Sequence, residues 1–171
     1  MPLTSEAVDI ETLKQVHRSF VSGVTIVTTN VEGRPRGLAV NAFSSVSLDP
    51  PLVLVCVQKT SSTYPSLFAS THFGVNILAA DQADIVARFA SKSGDKFSGV
   101  AWRPATAETP IIEGTSASLV ARIGERLQTN THTVFMGRVV EAEYSSAPPM
   151  VYSGGRFYDG GRLIPAPEAD R

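Results

Sequence analysis

Two clusters of hydroxyl side chains frame the most unusual stretch of the chain, GLAVNAFSSVSLDPPLVLVCVQKTSST at residues 37–63. Asn41, Ser44, Ser45 and Ser47 gather at the end of one strand-like segment, and Lys59, Thr60, Ser61, Ser62 and Thr63 at the end of the next. Four hydroxyls beside a lysine at a helix start are a donor set for a phosphate. Free backbone N–H groups, the positive helix end and the ammonium all favour an anion there. The same residues also suit plain N-capping, and the spacing leaves both readings open. A second candidate is His132, in Asn130-Thr131-His132-Thr133 at the start of a strand-like run. A lone histidine serves either as a catalyst or as a hydrogen-bonded structural residue. The third is Tyr152 to Arg162, where four glycines accompany aromatics and two arginines. It offers stacking and anion contacts, or simply a glycine-rich terminal hairpin.

Other chemistries lack their residues. Cys56 is the one cysteine, which excludes an internal disulfide and multi-cysteine metal sites. It lies in an apolar strand and is expected to pack as a small hydrophobe. His17, His72 and His132 have no metal-ligand spacing, and no H-E-x-x-H, G-x-S-x-G, Walker loop or G-x-G-x-x-G occurs. No metal site is therefore expected. Fifteen Lys+Arg against sixteen Asp+Glu leave a net charge of −1, which sets nucleic acid aside. The longest apolar run, residues 52–57, suits a buried strand and not a membrane span. Met1 to Glu6 open no basic-then-apolar signal pattern, so a soluble cytoplasmic protein is expected.

The 171 residues fit one domain, with a fraying tail over 165–171. Apolar spacing predicts an amphipathic helix over 9–20, ended by Ser22-Gly23. Strands are expected over 24–29, 37–43 and 52–58, with a turn at Glu32–Pro35 and a break at Asp49-Pro50-Pro51. A short helical patch follows Tyr64-Pro65, then a strand from Phe73 to Leu78. Asp81 reads as the N-cap of a helix over 82–90. Residues 91–110 form a long excursion. Two long antiparallel strands are expected over 117–128 and 131–144, and a short one over 151–158. Many strands with few short helices predict a mainly β chain, a small antiparallel barrel with helical decoration; a mixed α/β sandwich is the alternative.

Taken in order, GVTIVTT, NAFSSVSLDPPL, KTSSTYP, FGVNIL, RFA, THTVFMGRV and Y-x-G-G-R-F-Y resemble the short-chain flavin reductases that serve two-component flavin-dependent monooxygenases. The resemblance covers about residues 16–160, and it implies an FMN-binding split barrel occupying residues 1–164. It implies NAD(P)H-dependent reduction of FAD or FMN, NADH before NADPH, and a homodimer, which the low charge density also suits. A monooxygenase component would receive the reduced flavin. Residue by residue, it implies that Val40, Asn41, Ala42 and Ser47 lie along the flavin and that Cys56 and Val57 approach the isoalloxazine. Lys59, Ser62 and Thr63 would hold the phosphate, and Phe89, Ala90, Ser91 and Lys92 the rest of the cofactor. His132 would face the nicotinamide, with Arg156 and Tyr158 closing that site. Family members carry Gly-Asp before the histidine; here Asn130-Thr131 stand instead, which leaves His132 the role of positioning the nicotinamide. A non-catalytic flavin-binding module is the alternative function.

Overall fold

A computed structural model describes residues 8–92 and 94–167. In chain order the elements are α1 (Ile10–Arg18), β1 (Ser22–Gly23), β2 (Thr25–Val31), β3 (Arg34–Val40), β4 (Phe43–Leu48), β5 (Pro51–Gln58), α2 (Tyr64–Ala69), β6 (His72–Ile77) and α3 (Ala83–Ala90). They continue with β7 (Trp102–Pro104), β8 (Pro110–Ile112), β9 (Ala117–Gln128), β10 (His132–Tyr144), β11 (Met150–Ser153) and β12 (Arg156–Asp159).

Seven strands form one sheet in the order β3-β2-β6-β9-β10-β5-β4, with every neighbouring pair antiparallel. β1, β11 and β12 make a small second sheet, and β7 and β8 a third. The two edges of the large sheet, β3 and β4, are adjacent in sequence, separated only by Asn41 and Ala42. So short a link between opposite edges requires the sheet to curl. No ladder joins β3 to β4, so the sheet is curled but not closed into a barrel.

The curl encloses Val27, Leu38, Val40, Val53, Val55, Val57, Phe73, Val75, Ala121 and Phe135. A second apolar cluster lies outside it, where Ile26, Leu78, Val86, Phe89, Phe97 and Ile112 meet. β2 is buried on both faces, Val27 toward one cluster and Ile26 toward the other, which is why Thr-Ile-Val-Thr-Thr is β-branched without alternation. Its buried hydroxyls find carbonyls: Thr28 Oγ1 donates to Pro110 O at 2.6 Å and Thr29 Oγ1 to His72 O at 3.0 Å.

Several expectations need correction. Ser22-Gly23 does not merely end a helix; it forms β1 against Val151 and Tyr152. Ser44, Ser45 and Ser47 do not gather at the end of the preceding strand but belong to an edge strand of their own, β4, paired to β5. An edge strand with one solvated face tolerates such polar residues, and apolar composition could not reveal it. Asp81 is not an N-cap: α3 starts after Gln82, whose Oε1 instead accepts from the Ala79 amide at 3.0 Å. The excursion at 91–110 contains β7 and the start of β8. Residues 168–171 of the expected tail lie outside the described residues, as does the whole segment read for a signal, residues 1–6. Among the described residues, no helix is long and apolar enough to cross a membrane, and no group of His, Cys, Asp and Glu could hold a metal ion.

Candidate active site

The open seam of the curled sheet is a cleft of about 680 Å³, within the usual range for small-molecule sites. β3 contributes Leu38 to Val40 and the link contributes Asn41; β5 contributes Cys56 to Gln58, and the turn after it Thr60 to Ser62. α3 ends on the cleft with Phe89 and Ala90, followed by Ser91 and Lys92, and His132 comes from the start of β10. Register explains the last. His132 pairs with Gln58, and the Lys59 amide donates to Thr131 O at 2.9 Å, so the turn before β10 is fastened to the end of β5. The Lys59 ammonium adds a second fastening, donating to Thr129 O at 2.5 Å.

Phe89 is held at the cleft floor by the absence of a side chain opposite it. A Cβ on Gly37 would stand 2.6 Å from Phe89 Cε1, so only glycine lets α3 settle against β3 here. His132 is half-buried, and its Nδ1 shares a hydrogen bond of 2.8 Å with the Thr131 hydroxyl. Thr131 thus fixes the ring where an acid is missing from the sequence, leaving Nε2 as the other polar atom of the imidazole. Cys56 is half-buried, and loss of solvent raises its thiol pKa, so it is a neutral wall rather than a nucleophile.

Thr63 does not act as the side-chain cap of α2. Its Oγ1 donates to Gly37 O at 2.8 Å and its amide donates to Ser61 Oγ at 3.2 Å. Both of its protons are therefore engaged, whereas a phosphate needs donors. Thr60, Ser61 and Ser62 line the cleft beside Lys92 and retain that chemistry.

Of the residues singled out in the sequence, the cleft brings together Val40, Asn41, Cys56, Val57, Ser62, Phe89, Ala90, Ser91, Lys92 and His132. Thr63 lines an adjoining cleft with Ser62 and Lys92. Ala42, Ser47, Lys59, Arg156 and Tyr158 line neither. Ala42 still touches the site's frame, its carbonyl accepting from the Cys56 amide at 3.0 Å. Ser47 turns its hydroxyl to Pro50 O. Arg156 and Tyr158 stand exposed on β12. The cleft also includes Lys96, which the sequence reading passed over. Lodged in Ser-Gly-Asp-Lys-Phe-Ser-Gly, it looks like a solvated loop residue, and no local signal marks its burial. Another cleft, about 630 Å³, lies beside β8 and the far ends of β9 and β10. Its Arg103 is neutralised by Glu143 at 2.5 Å, and neither His132 nor the hydroxyl cluster reaches it.

Comparison with known proteins bears on this site. A family model described as "Flavin reductase like domain" matches residues 17–161. The chain is 39% identical over 139 residues to FMN reductase (NADH) SmoA of Agrobacterium fabrum, covering 81% of this chain and 79% of that protein. It is 37% identical over 158 residues to the reductase component of the flavin-dependent trigonelline monooxygenase of Acinetobacter baylyi, covering 92% of this chain but 49%, about half, of that protein. Among solved structures, the NADH:FAD oxidoreductase SgcE6 of Streptomyces globisporus, in complex with NAD and FAD fragments, superposes with a TM-score of 0.83 at 38% identity, covering 95% of this chain and 96% of that one.

Proposed function

Since the chain belongs to the flavin reductase-like family, we propose that it is an NADH-dependent flavin reductase that takes free FAD or FMN as substrate and passes the reduced flavin to a partner monooxygenase. The observation that carries this reading is the seam cleft itself, which joins a flat apolar wall, a hydroxyl turn with a lysine, and one oriented histidine. The donor set fits a flavin: Val40, Cys56, Val57 and Phe89 suit the ring, and Thr60, Ser61, Ser62 and Lys92 suit its phosphate. Hydride transfer from reduced nicotinamide to the flavin ring is chemistry the two bound cofactors supply. The protein's share is to hold two rings in register and to keep water from between them. Asn41 and the β5 backbone would flank the ring, and His132, its Nδ1 engaged by Thr131, would offer Nε2 to the nicotinamide side. No arginine fork grips the phosphate in this cleft, which suits a flavin that must leave after reduction.

The curled sheet with its unpaired seam supports a split barrel, and residues 1–164 form one reductase domain on this reading. A homodimer completes the site. α1 buries none of its residues; Ile10, Leu13 and Val16 are 66%, 42% and 60% exposed along one face, and Phe20, just past its end, is 76% exposed. So apolar an uncovered stripe suits a second copy. Arg156 and Tyr158, exposed and away from their own cleft, then close the cleft of that copy. NADH and a single free thiol suit the cytoplasm.

The test is NADH oxidation by purified protein with no flavin, with FMN and with FAD. Turnover only with added flavin is expected. No NADH consumption in any of the three would overturn the reading.

A further inference from the structure

Lys59 sits in the hydroxyl turn but acts away from it. Its neighbours Gln58, Thr60, Ser61 and Ser62 line the seam cleft, whereas Lys59 lines neither that cleft nor the adjoining one. Among the described residues its ammonium makes no ion pair. It reaches instead across the sheet, to Thr129 O at 2.5 Å. A hydrogen bond from a charged donor is stronger than one between neutral groups, so a half-exposed lysine can hold a distant segment this way.

The segment it holds is the turn that presents His132. Residues 129–131 join β9 to β10, and all three are exposed, so no buried side chain anchors the turn. Hydrogen bonds must fix it. Lys59 grips both of its ends: the ammonium takes Thr129 O, and the Lys59 amide donates to Thr131 O at 2.9 Å. Within the turn, the Thr129 amide donates to His132 O at 2.9 Å and the His132 amide donates to Thr129 Oγ1 at 3.1 Å. Thr131 then engages Nδ1 of the imidazole. A chain of bonds thus runs from the end of β5 through the turn to the ring.

We infer that Lys59 is a positioning residue for the nicotinamide side of the reaction, setting the His132 turn against the end of β5, and that it does not hold the flavin phosphate. The inference rests on the flavin-reductase reading. It reverses the role that the place of Lys59 in Lys-Thr-Ser-Ser-Thr suggests. Hydride transfer needs two rings held at close approach, so a histidine carried on a loosened turn costs NADH binding before it costs flavin binding.

The test compares Lys59→Met, which keeps an apolar stem and loses the donor, with Lys59→Arg, whose guanidinium can still donate to Thr129 O. Flavin Kd is read by quenching of flavin fluorescence, and NADH KM by turnover at saturating flavin. Lys59→Met should raise the NADH KM about fivefold, the scale of one hydrogen bond in a half-exposed setting, and change the flavin Kd less than about twofold. Lys59→Arg should recover most of that KM. Thr129→Ala removes a hydroxyl from the same turn, so the double variant Lys59→Met, Thr129→Ala should raise the KM no further than the larger single effect. Weakened flavin binding in Lys59→Met with an unchanged NADH KM gives the ammonium to the phosphate and overturns the inference. An unchanged KM and Kd, equal losses for flavin and NADH, no recovery in Lys59→Arg, or multiplied effects in the double variant overturn it as well. If the unmutated protein oxidises no NADH with either flavin, the flavin-reductase reading itself fails; the other outcomes, in an active protein, remove only the role of Lys59.

Discussion

Replacing Gly37 with alanine should strike fold and site together. The new Cβ would stand 2.6 and 3.0 Å from two ring carbons of Phe89 and 3.3 Å from Val27 O. Carbon contacts are comfortable at about 3.5–4.0 Å, so the ring must retreat by about 1 Å. It has nowhere to go: Phe89 is 1% exposed and meets Phe97 edge-on with centroids 5.0 Å apart. Overpacking of this kind costs about 1–3 kcal/mol. At about 2–4 °C per kcal/mol for a chain of this size, Tm should fall by about 2–12 °C. Because α3 delivers Ala90 to Lys92 to the cleft, flavin binding should weaken as well. Urea unfolding and flavin titration are the assays, applied to a double-mutant cycle with Phe89→Leu. The leucine leaves room for the methyl, so the pair should be more stable than the sum of singles by at least about 0.5 kcal/mol. Full stability of Gly37→Ala, or strict additivity, would refute the steric argument.

His132→Ala should raise the NADH KM more than the flavin Kd, since the ring held by Thr131 is assigned to the nicotinamide side; unchanged NADH parameters would contradict that role. Thr63→Val should cost about 1 kcal/mol in urea unfolding through loss of the bond to Gly37 O, while leaving flavin affinity within about threefold. A large loss of affinity at full stability would return Thr63 to the phosphate. His72 has a pKa lowered from 6.5 by burial and by Arg122. The unfolded chain therefore binds the proton more readily, and stability falls as pH drops from 6.5 through the folded value. His72→Asn should flatten that acid limb in thermal melts, and an identical limb in both proteins would refute it.

The strands that make the sheet were legible because β-branched, buried segments such as Thr25–Val31 and Pro51–Gln58 announce themselves by composition. The ordered motifs identified the family and named most of the cleft. What could not be read was where polar residues turn. Ser44 to Ser47 look like the polar end of the preceding strand until β5 supplies their partner strand. Thr63 looks like a cap or a phosphate ligand until Gly37 O, distant in sequence, takes its proton. Lys96 looks solvated until the tertiary structure buries it, with its ammonium donating to the Phe89 carbonyl beside the seam cleft. Apolar periodicity is a local signal, so the chain alone determined its strands and its family. The destination of a proton or an ammonium depends on atoms from distant segments, and only the curl that brings β3, β5, α3 and β10 to one seam decided it.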